Sequence, residues 1–228
     1  MVKVKFPDGA VKEFEDGATV ATVAQSISMS LAKKAVAGRY NGELIDFNAP
    51  LVSDGEIEIV TKNSEDGLKV LWQTASLLVG ASLSELYPEM KFGEGSVSEH
   101  GFFIDTDNVT GQIAETEFEK ISKKMQEIVN SGAKVERLVV DEKEALALVD
   151  GDAYRMELVK EAAVSGKVVL HKLNSFVDVS AGAYLEKVSS IKIFKLLSVA
   201  GAYWKGASSN PMLQRVYGTA FYKQKELD

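Results

Sequence analysis

The sequence has no cysteine, only two histidines and only four prolines among its 228 residues. The absence of cysteine excludes disulfides and thiolate metal sites, and it fits a reducing compartment. No apolar run approaches the ~18 residues that a membrane-spanning helix needs. The first residues, MVKVKFPDG, contain no apolar stretch of the signal-peptide kind. We therefore predict a cytoplasmic protein with no membrane partner.

The composition that remains is that of a soluble globular protein. Hydrophobic residues make up 46% of the chain and charged residues 26%, which is the usual balance of a folded domain. The length allows one large domain or two small ones. A polar stretch at 62–66 marks a boundary, so we predict one domain over residues 1–62 and a second over 63–228.

Residues 1–62 have the pattern of a small β-rich domain. Val2, Val4 and Phe6 alternate with polar residues, a Pro-Asp-Gly turn follows, and residues 11–14 can return as a second strand. Thr19 is placed to cap a helix whose predicted apolar face is Val20, Val23, Ala24 and Ile27. Asn41-Gly42 predicts a hairpin turn between strands at 35–40 and 43–45. Two strands, a helix and further short strands favour a β-grasp, ubiquitin-like fold.

The second domain mixes helices and strands without a βαβ repeat, so we predict an α+β fold. A long helix begins after Ser64 and ends before Pro88, and its apolar stripe includes Leu71 and Leu78. Gln73 and Leu77 share a face largely opposite that stripe, and we expect this face to line a cleft. Further predicted helices begin near residues 116, 141 and 152, and predicted strands lie at 135–140, 168–173, 176–179 and 191–198.

The end of the chain is basic and aromatic. From residue 191 onward there are six Lys or Arg and two acids, so this segment carries +4 and the other residues carry −11 of the net −7. Arg and Lys can bind phosphate while aromatic rings stack on bases, so Lys205 and Arg215 are candidate nucleic-acid contacts. The alternative is that the aromatic rings are core and the cations ordinary surface.

The amino-acid sequence of this segment closely resembles that of one protein family. Residues 201–221 read GAYWKGASSNPMLQRVYGTAF, similar to the pattern GAYWRGDSxNxMLQRIYGTAF of bacterial threonyl-tRNA synthetases. Ala207 and Pro211 depart from that pattern. The resemblance extends from residue 1 to 228, with residues 1–62 similar to the family's TGS domain and 63–228 to its editing domain. It implies threonine tRNA and the rest of the synthetase as partners. The full-length family enzyme is a homodimer that uses ATP, Mg and Zn, and no cofactor is implied for this region.

In the family the second domain removes serine mischarged onto threonine tRNA. The resemblance implies a site built from a His-x-x-x-His pair on the long helix and a Cys-x-x-x-His pair near residue 180. Here those positions hold Gln73, Leu77, Ser180 and Tyr184. Other cleft positions, Phe102, Asp178 and Gly182, keep the family residue, while Arg155 replaces a lysine and Ala181 an arginine. We therefore predict that editing is lost and that tRNA contact or a structural role remains.

Two alternatives stay open from the sequence. The chain could be a free-standing, non-catalytic paralogue that binds tRNA or a protein, or a hydrolase with an unfamiliar site. The second alternative depends on His100 and His171, the only histidines. We expect His100 in a turn and His171 on the outward side of a strand. Neither arrangement favours a catalytic base, and no cluster has metal-ligand spacing.

Overall fold

The computed structural model describes residues 1–108, 111–179 and 182–223. These residues divide into two compact units. The first contains Met1–Leu71 and Gly182–Glu186, and the second contains Trp72–Ala181 and Lys187–Asp228. The predicted boundary at residues 62–66 therefore lies close to this division, although a short later segment also belongs to the first unit.

The first unit is a β-grasp domain, as the sequence predicts. Its five-stranded sheet has the order β2-β1-β5-β3-β4, with β1 and β5 parallel and the other pairs antiparallel. Two short helices accompany the sheet. The elements are β1 (Val2–Lys5), β2 (Val11–Phe14), α1 (Val20–Ile27), α2 (Met29–Lys34), β3 (Ala35–Tyr40), β4 (Glu43–Asp46) and β5 (Gly55–Thr61).

Local sequence signals explain most of these elements. The Thr19 hydroxyl accepts a hydrogen bond from the Thr22 amide and so caps α1. Asn41 and Gly42 both have positive φ, as a two-residue hairpin turn requires. Val20, Val23 and Ala24 are fully buried, but Ile27 is 48% exposed. The predicted apolar face was therefore wrong at its last residue, because α1 ends there and the chain turns into α2.

The second unit is α+β and contains two antiparallel sheets, with orders β10-β9-β8 and β11-β12-β7-β6. Val168, Leu170 and Val177 of the smaller sheet share a core with Val149 and Val159. The elements, beginning with the helix that enters from the first unit, are α3 (Glu65–Leu86), β6 (Lys91–Ser98), β7 (Gly101–Asp107), α4 (Phe118–Asn130), β8 (Glu136–Val140), α5 (Glu142–Leu148), α6 (Ala153–Ala163), β9 (Val168–Leu173), β10 (Phe176–Asp178), β11 (Ile193–Tyr203) and β12 (Met212–Phe221).

The basic, aromatic segment forms a long hairpin. We expected a strand that ends at residue 198, but β11 continues to Tyr203 and pairs along its length with β12. A 3₁₀ turn at Trp204–Gly206 begins the connection, with Lys205 and Gly206 both at positive φ. The amide of Trp204 donates to the Pro211 carbonyl at 2.9 Å and closes the tip. Residues 199–203, which lie beyond the predicted strand, thus belong to β11.

Candidate functional site

Helix α3 carries the first two candidate positions, and it is buried on every side. Every residue from 72 to 83 is buried, so the face with Gln73 and Leu77 does not line an open cleft as we expected. Gln73 donates from Nε2 to the Gly95 carbonyl of β6 at 3.0 Å, while Leu77 is fully buried. The predicted cleft is closed because β-strands of the second unit pack on the face of α3 opposite the apolar stripe.

Close contacts at two glycines show how this face is covered. A Cβ added at Gly80 would lie 2.4 Å from a ring carbon of Phe176, so β10 packs directly on the helix. A Cβ added at Gly95 would lie 2.5 Å from Ser76 Oγ and 3.7 Å from Asp178 Oδ2. Gly95 therefore joins α3, β6 and β10 at one point. The structure brings Gln73 and Asp178 together there in a buried polar cluster.

A row of charged and titratable residues crosses the small sheet beside this cluster. His171 of β9 is directly opposite Asp178 of β10 on one side and Arg137 of β8 on the other. Opposite residues of antiparallel strands have side chains on the same face, with Cβ atoms about 4.5–5.5 Å apart. His171 is only 2% exposed and Asp178 only 5%. The expectation of an outward His171 was wrong, because this end of β9 is covered on both faces.

Arg155 has a structural position that the sequence did not reveal. Its guanidinium is bonded to Asp152 at 2.9 Å and donates to the Val177 carbonyl at 2.8 Å. It also lies over the rings of Phe92 and Phe176. Arg155 thus links α6 to β10 at Val177, the residue before Asp178. Phe102, fully buried in β7, packs on Gly218 of β12.

The remaining candidate positions are Ser180, Gly182, Tyr184 and His100. Ser180 and its neighbour Ala181 lie outside the described residues. Tyr184 belongs to the first unit, where it is buried and its amide donates to Asp46 at 2.8 Å. Gly182, in the same short segment, has φ +140. His100 is in the β6–β7 turn, as predicted, and its side chain is 86% exposed.

Both candidate nucleic-acid contacts are bound to carboxylates near the tip of the hairpin. Lys205 is 2.8 Å from Glu157 and also pairs with Glu161, both on α6. Arg215 forms two hydrogen bonds to Asp105, at 2.7 and 2.9 Å, and these bonds raise the pKa of the guanidinium. A groove of about 580 Å³ separates the two pairs. Phosphate would have to compete with carboxylates already in place.

The aromatic residues of this region differ in burial: Trp204 is buried, whereas Phe194, Tyr217 and Phe221 are half-buried. Trp204 is 5% exposed, donates from its indole to Glu157 and meets the ring of Tyr154 edge-on at 5.1 Å. Tyr203, by contrast, is 41% exposed. Trp204 therefore anchors the hairpin tip to α6 and is not available for stacking on a base.

Tyr154 gives a prediction about alkaline pH. Burial, together with its 2.7 Å hydrogen bond to Asp107, raises the pKa of Tyr154 to about 12. An unfolded tyrosine ionises near pH 10, so its contribution to stability is complete below about pH 10 and is lost as pH rises towards 12. We expect Tyr154→Phe to make the loss of stability over that interval shallower in urea titrations. Tyr203→Phe is the control, and an equal change in both variants would contradict the prediction.

No group of three or more metal-ligating side chains occurs within the described ranges. None of the described helices is both long and apolar enough to cross a membrane. The second unit therefore offers a buried polar cluster around Gly95, two ion-paired cations at the hairpin tip, and no assembled set of histidines.

The chain is similar to known proteins along its whole length. Residues 2–61 match the family model of the TGS domain. The threonine–tRNA ligase of Ligilactobacillus salivarius is 59% identical over 229 residues, which cover all of this chain and 35% of that protein. The same enzyme from Lactiplantibacillus plantarum is 50% identical over 232 residues, covering 100% and 36% respectively. That of Staphylococcus saprophyticus is 47% identical over 226 residues, covering 99% and 35%. From end to end, the chain resembles the N-terminal part of threonine–tRNA ligases.

The similarity to threonine–tRNA ligases confirms the family resemblance found in the sequence. The chain spans about a third of the length of these ligases, as the coverages of 35% and 36% state. The TGS match covers the whole β-grasp sheet, from the start of β1 to the end of β5. The second unit lies in the part of the chain that matches these ligases beyond the TGS domain.

Proposed function

We propose that this chain is the TGS and editing region of a cytoplasmic threonine–tRNA ligase, an enzyme of protein biosynthesis, and that its editing site no longer hydrolyses. The observation that carries the proposal is the identity and burial of two side chains of α3. Gln73 and Leu77 occupy the positions of the family's two helix histidines, and both are buried. An amide that is already bonded to Gly95 and an aliphatic side chain cannot accept a proton near neutral pH.

The family site needs its side chains as a set. Hydrolysis of a mischarged ester requires a base that holds and deprotonates water beside the carbonyl. With Ser180 and Tyr184 at the other two positions, none of the four supplies such a base. An apolar Leu77 further disfavours an ordered water and a charged intermediate. We therefore infer that the editing-type domain keeps its fold but no longer hydrolyses the mischarged ester.

The remaining role is contact with threonine tRNA at its acceptor end and packing within the enzyme. In the full-length family enzyme, a homodimer, ATP, Mg and Zn serve the aminoacylation core, and this region needs none of them. The ion pairs that Lys205 and Arg215 already form with carboxylates of the second unit favour a structural part for both residues. Their removal is expected to weaken the hairpin tip more than it weakens RNA binding.

A second candidate function is supported by the His171–Asp178 arrangement. A buried imidazole opposite a buried carboxylate is a general-base arrangement on chemical grounds. In that case the domain would be a hydrolase with a base from β9 in place of the family's four side chains. The same assay separates the two candidates.

The test is hydrolysis of seryl-tRNA made with threonine tRNA. We expect the unaltered protein to leave the ester at its buffer rate, because a positioned base contributes about 10²–10⁴-fold and none of the four family positions supplies one. Activity that His171→Ala abolishes, and that His100→Ala leaves intact, would overturn the proposal and establish the second candidate. Activity that survives both changes would overturn both candidates.

A further inference from the structure

Basic charge is concentrated in one part of the second unit. Between Lys187 and Lys223 there are six cations and no Asp or Glu, in a chain whose net charge is −7. The hairpin of β11 and β12 occupies most of this segment. Its cations fall into two groups at opposite ends. Because a strand rises about 3.4 Å per residue, the ends of β11 are roughly 34 Å apart.

The group at the tip is neutralised, as the ion pairs of Lys205 and Arg215 show. The group at the base is not. Lys192 directly precedes β11, and Lys195 lies near the start of β11, opposite Thr219 of β12. Lys223 follows the end of β12. All three are exposed. Within the described residues, no carboxylate oxygen lies within 4.0 Å of their amino groups.

Two further lysines meet just before the turn at Val188–Ser190, which leads towards β11. Lys134 and Lys187 are directly opposite each other in an isolated antiparallel bridge, and both are exposed. The adjoining amide of Val188 donates to the Ala133 carbonyl, so the backbone holds the pair in register. Like charges directly opposite destabilise a strand pair. Neither lysine has a carboxylate partner in the described part of the chain that would offset the repulsion.

We propose that these five residues (Lys134, Lys187, Lys192, Lys195 and Lys223), here called the base lysines, are the surface that binds the phosphate backbone of RNA. The inference rests on the proposed contact with tRNA and assigns it to a different place from Lys205 and Arg215. Uncompensated, exposed ammonium groups gain most from a polyanion, because binding releases its condensed counterions. A membrane site would instead join such lysines to an amphipathic helix, whereas three of the five flank or lie in strands.

The experiment compares two variants with equal change in net charge. In the test variant, Lys187, Lys192 and Lys195 become Gln. In the control variant, Lys120, Lys124 and Lys205 become Gln. These three are engaged by Tyr87, by Glu127 and by Glu157. Binding of a labelled threonine tRNA transcript is followed by anisotropy over a series of KCl concentrations, with thermal unfolding as a check on folding.

We expect the test variant to lose affinity by about tenfold or more at roughly 0.1 M salt and to flatten the plot of log K against log salt by roughly two units. The control should change both much less. Equal effects in the two variants, or a larger effect in the control, would overturn the assignment while leaving tRNA contact in place. No binding by the unaltered protein at about 0.05 M salt would overturn both. Binding of phosphatidylserine vesicles, and not tRNA, through the base lysines would also overturn it.

Discussion

Leu78→Ala is expected to lower the free energy of unfolding of the second unit by about 2–5 kcal/mol. Leu78 lies in the middle of α3 and is fully buried. Because neighbours surround the helix on every side, the cavity left by the smaller side chain has little freedom to collapse. The free energy of unfolding should therefore fall by more than it would for a Leu→Ala change at a half-exposed site.

Urea unfolding can be followed by the fluorescence of Trp72, which is on the same helix and donates to the Ala220 carbonyl at 2.9 Å. Leu148→Ala is the matched control, since Leu148 is 37% exposed at the end of α5. It should cost within about 0.5 kcal/mol, as surface changes usually do. Similar losses in the two variants would mean that α3 does not carry the core. Gln73→Ala should cost about 1–3 kcal/mol, because it removes the hydrogen bond that the Gln73 amide donates to the Gly95 carbonyl.

Much of the fold follows from local signals in the sequence. Caps fix helix starts at Thr19 and at Asp141, whose carboxylate accepts from the Glu144 amide. Positive-φ residues fix the turn at Asn41-Gly42 and the end of α4, where Gly132 has φ +72. Asn174, also at positive φ, separates β9 from β10. These signals act within a few residues, so a sequence reveals them without any knowledge of packing.

The site was harder to predict because its character depends on distant contacts. Nothing near Leu77 shows that β10 will cover that face of α3; the small Gly80, which admits the ring of Phe176, was the available signal. His171 looked like a surface residue because it stands between Leu170 and Lys172, yet strand register places it opposite Asp178. In the same way, Gly201 interrupts the run of larger side chains in β11, so the sequence pattern did not predict the second half of this strand. Tertiary packing overrides local pattern at each of these positions.

Return of the family's four editing side chains is expected to restore hydrolysis of seryl-tRNA. The variant carries Gln73→His, Leu77→His, Ser180→Cys and Tyr184→His, which reinstates both motif pairs that the resemblance assigns. A positioned base contributes about 10²–10⁴-fold, and we expect a gain near the lower end. Ala181 and Arg155 still differ from the family, and Arg155 is fixed by Asp152 and by the Val177 carbonyl.

Stability decides how this variant must be built and read. A histidine at the fully buried position 77 exchanges apolar packing for a polar ring, and an unbonded polar group there costs about 1–3 kcal/mol. The triple variant that keeps Leu77 is therefore the control for folding. It should be more stable than the quadruple variant yet inactive, because residues that act as a unit are strongly non-additive. A folded quadruple variant that hydrolyses no faster than buffer would show that these four positions are not the editing site. A single histidine that restored the full rate would show instead that the site never required the set.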